Sequence, residues 1–426
     1  MKKIFLCLSL TLSIITLNIT NVFAASAAPS VNANGVVVMD SVTGTVLYGT
    51  NENTKYLPAS VTKLMTILLT LEKSNLEDKV KVGPIPPTIE GSKIYIDKDE
   101  ELTVKEMLYA VIMVSANDCA QALAEHISGS QEAFAKLMNE RAKELGCKNS
   151  NFKNPHGLSE ADHKTTAYDL ALIEKELLKH PEYVEISKTK THMIPATNIY
   201  PEQRPLWNDN RLLHDYEQYY YEYAIAGKTG YTDESRHSFV ASATKNNNTF
   251  IVTMLYDPVK TYFSDSKKLF EWAFSNFQTV KLYSKGEEVT TYTSSNGTVI
   301  PLLASEDIYY TKDLNLNDTP KFNLDPTQLN NKYFLKGQPI AEGNVTYASQ
   351  AYTVTLVSAV DYEKKTLPVV GDLMTTETNT INYTYLTFLL LSIFLFFCLL
   401  AFGYFRMLKA KVIKNYNKNT LKKRYK

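Results

Sequence analysis

The sequence predicts an α+β fold, an antiparallel sheet covered by helices, followed by a small all-β domain and one C-terminal transmembrane helix. Three observations predict it. Strand patterns stand at both ends of residues 34–277 with helical patterns between them, residues 280–370 carry no long helical period, and residues 385–404 carry no charge. Strands that open and close a segment can pair with each other, and the helices between them then have one sheet to cover.

The first element is a leader. Lys2 and Lys3 precede an apolar run from Ile4 to about Leu17, and Val22-Phe23-Ala24 offers small residues for cleavage. A basic start, an apolar stretch and such a site make residues 1–24 a secretory signal peptide. Val36–Met39 and Thr45–Tyr48 then flank a Gly-containing turn, which reads as a β-hairpin. After Pro58 the apolar spacing turns helical through Leu64, Met65, Ile67, Leu68 and Leu69. Thr103 with Glu106 has capping-box spacing, while Ser130 and Thr166 stand where they can cap two further helices. Phe239–Thr244 and Thr249–Leu255 read as strands around a polar turn, and Asp265–Phe277 as a closing helix. Residues 280–370 are rich in Thr, Tyr, Val and Asn with turns at Ser284-Lys285-Gly286 and Ser295-Asn296-Gly297, hence the small β domain.

A polar linker, 371–384, leads to the uncharged run at 385–404. That run is about the length that crosses a ~30 Å hydrocarbon core at about 1.5 Å per residue. Nine basic and no acidic residues follow in 405–426, so this tail is expected on the cytoplasmic side and the large domain outside. The formal charge of +0, from 45 basic and 45 acidic residues, hides this asymmetry. Without leader and tail the external part carries about −11, which argues against a nucleic-acid partner. Of four cysteines only Cys119 and Cys147 face outside, too few for a disulfide scaffold, and spacing leaves their pairing open. A His/Cys metal cluster is absent from the pattern, and no cofactor is expected.

Three short motifs carry the chemistry. Ser60-Val61-Thr62-Lys63 puts a serine and a lysine one helical turn apart, near a helix N-terminus whose unpaired N–H groups favour negative charge on Ser60. Burial on an apolar helix, with Lys228 as a second cation, lowers the Lys63 pKa so that Lys63 can take the Ser60 proton. Ser115-Ala116-Asn117 separates two apolar helical stretches. Ser115 can relay a proton there, and Asn117 can bond a substrate amide. Gly227-Lys228-Thr229-Gly230-Tyr231 precedes a strand. Lys228 supplies charge, Thr229 can bond a carboxylate, Gly230 permits close approach, and the Tyr231 N–H can join that of Ser60 in an oxyanion hole. The catalytic candidates are therefore Ser60, Lys63, Ser115 and Lys228, and the substrate-binding candidates Asn117, Lys228, Thr229, Gly230 and Tyr231.

With these motifs and Asn154-Pro155-His156-Gly157-Leu158, the chain resembles the low-molecular-mass penicillin-binding proteins, serine-type D-alanyl-D-alanine carboxypeptidases of β-lactamase/transpeptidase-like fold. The resemblance implies removal of the terminal D-Ala from peptidoglycan pentapeptide stems through an acyl-enzyme on Ser60, and β-lactams as inhibitors. The leader, the uncharged run and the basic tail place such an enzyme at the bacterial cell membrane, with the domain outside. A DD-endopeptidase or transpeptidase uses the same acyl-enzyme and is the alternative. A class A-like β-lactamase would need Glu-x-x-x-Asn between Cys119 and Lys228, which is missing. An inactive wall-binding protein sits poorly with an intact set of candidates. His156 reads as structural, and the Tyr216–Tyr223 run as a tyrosine-packed surface segment rather than a glycan grip.

Overall fold

The computed structural model describes residues 27–295, 297–330 and 333–362, with scattered helical positions between 390 and 407. The chain divides into two units, residues 1–363 and 364–426. The expected signal peptide and linker lie outside the described residues, and only scattered positions of the expected span at 385–404 are described. Among the described residues no helix is long and apolar enough to cross a membrane.

In chain order the first unit opens with β1 (Gly35–Asp40) and β2 (Val46–Thr50), then α1 (Lys63–Lys73), β3 (Lys79–Lys81) and β4 (Glu101–Thr103). Helices α2 (Val104–Met113), α3 (Asn117–Ser128), α4 (Gln131–Glu144), α5 (Ala167–Leu177) and α6 (Pro181–Lys188) follow. A hairpin of β5 (Thr191–Ile194) and β6 (Arg204–Trp207) precedes β7 (Ala224–Thr232), β8 (Arg236–Lys245), β9 (Asn248–Asp257) and α7 (Tyr262–Asn276).

The central sheet runs β2-β1-β9-β8-β7, antiparallel throughout, so the N-terminal hairpin pairs with the late strands as expected. Every residue of β1 is buried, because helices cover both faces of the sheet. Side chains alternate across a strand. Val37 and Met39 accordingly join the core shared with α1–α5, and Val36 and Val38 the core under α7. α1 runs between other elements and buries every residue from Lys63 through Thr70, the polar Lys63, Thr66 and Thr70 among them. Its start differs from expectation: Ser60 sits in a 3-10 turn, Ala59–Thr62, and the α-helix begins at Lys63.

Thr103, Ser130 and Thr166 each cap a helix by accepting from the amide three residues on. At Thr103 only half the capping box forms. The Glu106 carboxylate meets His192 Nε2 at 2.7 Å instead of reaching back to the cap. Cys119 and Cys147 are both buried and free.

The later strands are β10 (Phe277–Tyr283), β11 (Glu288–Thr293), β12 (Val299–Ala304), β13 (Ile308–Asp313), β14 (Lys321–Leu324), β15 (Pro339–Tyr347) and β16 (Gln350–Ser358). They form a five-stranded sheet, β11-β12-β16-β15-β14, and a pair, β10-β13, around a separate core of Ile300, Leu302, Val345, Val354 and Leu356. Asp40, fully buried at the end of β1, ties the two regions together. Its carboxylate accepts from Thr279 Oγ1 and Thr311 Oγ1, each at 2.8 Å, and from the Val42 and Thr43 amides.

Candidate active site

The 3-10 turn, the gap between α2 and α3, and the edge strand β7 converge on Lys63. Its Nζ lies 2.9 Å from Ser60 Oγ, 2.6 Å from Asn117 Oδ1 and 2.6 Å from the His156 carbonyl. The residue has no exposure. Burial holds its pKa well below the ordinary lysine value, the Lys228 charge lowers it further, and Asp118 opposes both. The three partners differ in one respect. Asn117 Oδ1 and the His156 carbonyl can only accept, whereas the Ser60 hydroxyl has a proton to give. A neutral Lys63 keeps two N–H donors for the first two and turns its lone pair to Ser60.

Segment Asn154–Leu158 builds the floor of this arrangement. Asn154 Oδ1 accepts from the Gly157 amide, and Thr66 Oγ1 donates to the Pro155 carbonyl, which sets the His156 carbonyl against Lys63. Gly157 has φ +88°, and a Cβ there would stand 1.9 Å from the Ala59 carbonyl oxygen, so only glycine lets this loop reach the Ser60 turn. The His156 ring accepts from the Leu158 amide, and burial, with the Lys63 charge, lowers its pKa to about 3.

Ser115 adopts φ +61° between α2 and α3, and its buried Oγ has no hydrogen-bond partner among the described residues. A non-glycine residue in this region is strained and marks a position worth a functional reading. Asn117 is fixed at four points: its amide donates to Ser92 O, its Nδ2 to Glu90 O, and its Oδ1 accepts from Lys63, while α3 carries its backbone.

Lys228 is 3% exposed on β7 and its Nζ donates to the Thr229 carbonyl. Burial lowers its pKa to about 8, with Asp209 opposing. Among the described residues β7 pairs only with β8, which leaves its other edge free to take an extended chain. Gly230 lies where a Cβ would come within 3.0 Å of the Ser60 amide, which explains the glycine. Tyr231 is exposed, and its hydroxyl donates to Asp233.

Direct hydrogen bonds thus join Ser60, Lys63 and Asn117, the field of Lys228 reaches Lys63, and Gly230 abuts the Ser60 backbone. Among the described residues no hydrogen bond links Ser115, Thr229 or Tyr231 to Ser60. Sequence reasoning missed Asp209 as the counter-charge to Lys228, and the His156 carbonyl as a Lys63 partner. A backbone carbonyl leaves no side-chain signature. The tyrosine run packs against α7: Tyr219 stacks on Phe263, and Tyr221 on Phe270. Among the described residues no group of three or more His, Cys, Asp or Glu could hold a metal ion.

Fold and site together define the class of serine acyl-transfer enzymes. A family model described as D-alanyl-D-alanine carboxypeptidase matches residues 21–258, and one for the C-terminal domain of penicillin-binding protein 5 matches 277–364. D-alanyl-D-alanine carboxypeptidase DacF of Bacillus subtilis is 37% identical over 301 residues, covering 68% of this chain and 75% of that protein. The crystal structure of penicillin-binding protein 5 from Haemophilus influenzae aligns with TM-score 0.68 at 29% identity, over 79% of this chain and 99% of that one. The Streptomyces K15 DD-transpeptidase aligns with TM-score 0.54 at 27% identity, over 59% of this chain and 100% of that one. The chain belongs to the D-alanyl-D-alanine carboxypeptidase family. Its activity is that of a serine-type D-alanyl-D-alanine carboxypeptidase.

Proposed function

We propose that Ser60 is the nucleophile and Lys63 its general base in removing the terminal D-Ala from peptidoglycan pentapeptide stems. The observation that carries this reading is the buried Lys63 Nζ, 2.9 Å from Ser60 Oγ with its other partners unable to give a proton. Ser60 Oγ attacks the carbonyl of the penultimate D-Ala as its proton passes to Lys63. The peptide C–N bond breaks, the leaving amine takes a proton through Ser115, and the acyl-enzyme remains. Water then attacks the ester, Lys63 accepts its proton, and Ser60 is restored with a free carboxylate product. Lys228 and Thr229 hold the terminal carboxylate, Asn117 and the free edge of β7 hold the stem backbone, and the Ser60 and Tyr231 amides bind the oxyanion. β-Lactams acylate Ser60 by opening their ring at the same position.

The decisive experiment follows D-Ala release from a pentapeptide ending in D-Ala-D-Ala, with Ser60→Ala as control. Release by the wild type alone is expected; equal release by Ser60→Ala removes Ser60 from its role. Transfer to an amine in place of water is the second reading, favoured by the likeness to a DD-transpeptidase. Adding a free amino acceptor and looking for a new peptide bond separates the two.

The enzyme works outside the cytoplasmic membrane in this proposal. Residues 1–24 are the signal peptide, 34–277 the catalytic domain, 280–370 the β domain, 371–384 the linker, 385–404 the span and 405–426 the cytoplasmic tail. The uncharged run and the nine basic residues behind it support this layout.

A further inference from the structure

Packing against α7 accounts for only part of the run Tyr216–Tyr223. Tyr221 is buried on Phe270, whereas Tyr219 is half-buried with Phe263 behind its ring, and Tyr216 and Tyr220 are exposed. Between this run and α7 opens a cavity of about 610 Å³, lined by Gln218, Tyr219, Ser264, Lys267, Lys268 and Glu271. That size lies within the ~300–1,000 Å³ range of small-ligand sites.

Helical spacing builds one wall. Lys267, Lys268 and Glu271 follow Ser264 by three, four and seven residues, so all four share one face of α7, while Phe263, Leu269, Phe270 and Ala273 fill the core on the other. The facing wall is fixed in place. Lys267 Nζ donates to the Tyr220 carbonyl at 3.0 Å, and the Tyr219 ring stacks on Phe263 with centroids 5.6 Å apart.

Most of the charge in the cavity is compensated. Lys268 pairs with Asp265 at 3.0 Å, and Glu271 with Lys245 at 3.5 Å. Among the described residues the Gln218 amide makes no hydrogen bond. Ser264 Oγ gives its proton to the Thr261 carbonyl and keeps its lone pairs, and Lys267 keeps two of its three donors. An aromatic ring edged by an amide, a hydroxyl and a spare N–H donor suits a neutral pyranose. Its C–H face lies on the ring, and its hydroxyl and acetamido groups meet both donors and acceptors. A polyanion would instead meet the Glu271 carboxylate.

A series of ring contacts joins the cavity to the acyl-transfer centre. Tyr231 lies 4.5 Å from His237, His237 5.8 Å from Tyr262, and Tyr262 4.5 Å from Phe263, which carries Tyr219. An extended pentapeptide spans at most about 18 Å, so the glycan that bears a stem passes close to this surface whenever the stem is engaged.

We propose that the cavity between Gln218, Tyr219 and α7 binds an N-acetylhexosamine unit of the glycan strand. Tyr219 takes the pyranose face, Lys267 donates to the acetamido carbonyl, and Gln218 and Ser264 bond the hydroxyls. The choice of polymer rests on the carboxypeptidase reading above, and the site adds a hold on the sugar backbone separate from the hold on the stem.

The test titrates chitotetraose, a β-linked N-acetylglucosamine tetrasaccharide, into the full chain in a detergent without a sugar headgroup and follows the heat of binding. Saturable binding is expected, weakened at least about fivefold by Gln218→Ala, by Lys267→Met and by Tyr219→Ala. In all three variants kcat/KM on N-acetylglycyl-D-Ala-D-Ala stays at the wild-type value, which also shows that they fold. No saturable binding by the wild type, or binding that none of the three substitutions weakens, overturns the site. Binding of poly(glycerol phosphate) in place of the tetrasaccharide overturns it as well. A wild type that binds the tetrasaccharide and releases no D-Ala overturns the carboxypeptidase reading and upholds the sugar site.

Discussion

Lys63 and Lys228 are two buried lysines on adjacent elements, and burial lowers the pKa of both. Burial acts on both, but Asp209 opposes it at Lys228, whose value settles at about 8, whereas the charge of Lys228 presses Lys63 lower still. In the proposed reaction Lys63 starts neutral and Lys228 stays charged, so the two act together only where Lys63 has lost its proton and Lys228 has kept its own. The rate of acylation should rise as Lys63 loses its proton and fall above about pH 8 as Lys228 loses its own. These limbs belong to the interacting pair rather than to either residue alone. Stopped-flow acylation by a fluorescent penicillin across pH measures them, and a flat profile would remove both lysines from their roles. Lys63→Arg adds a second check. Arginine keeps a proton throughout the accessible range, so acylation should fall by about 10²–10⁴.

Among the elements, the loop Asn154–Leu158 and helix α5 carry loads that their own sequences hide. Gly157→Ala would put a methyl group into the Ala59 carbonyl, 1.9 Å away, and force φ +88° on an L residue. The loop must then retreat and take the His156 carbonyl from Lys63. D-Ala release should drop by at least about tenfold even where circular dichroism reports a folded protein, and wild-type kinetics would contradict this account. In α5, Glu174 is wholly buried and accepts from Tyr183 and Ser242 hydroxyls. Burial lifts its carboxyl to about 7, and the two hydrogen bonds pull the other way. The folded state thus binds its proton more tightly than the unfolded chain, so stability falls as pH rises from about 4.5 through about 7 and levels off above. Glu174→Gln should remove a pH-dependent loss of at most about 3 kcal/mol in that window. Denaturant melts of both proteins at several pH values test it; parallel curves would show Glu174 is not the source.

At the scale of the whole first unit, the central sheet and the later β strands meet at one buried carboxylate. Asp40 belongs to the central sheet, yet two of its four donors, Thr279 and Thr311, belong to β10 and β13. Asp40→Ala leaves those hydroxyls and two turn amides without their acceptor, at about 1–3 kcal/mol for each group left buried and unpaired. The effect should fall on the junction and spare the acyl-transfer centre. Trypsin should cut sooner between the two regions, while kcat/KM on N-acetylglycyl-D-Ala-D-Ala stays near the wild-type value. Faster cleavage accompanied by loss of that activity would mean the two regions are energetically one.

The sequence by itself determined the α+β class and the pairing of the N-terminal hairpin with the late strands of the central sheet, and it offered Ser60, Lys63, Ser115, Asn117 and Lys228 as candidates. Strand alternation, helical spacing and short motifs are local, and local patterns survive in a one-dimensional text. Only the tertiary structure decided that Ser60 lies in a 3-10 turn before α1, that Glu106 turns to His192, and that Asp209, the His156 carbonyl and Asp118 frame the lysines. Those relations depend on residues far apart in the chain, or on backbone atoms that every residue shares. Neither kind of partner leaves a mark in spacing or composition, because the forces that select it act only once the sheet and its helices have closed.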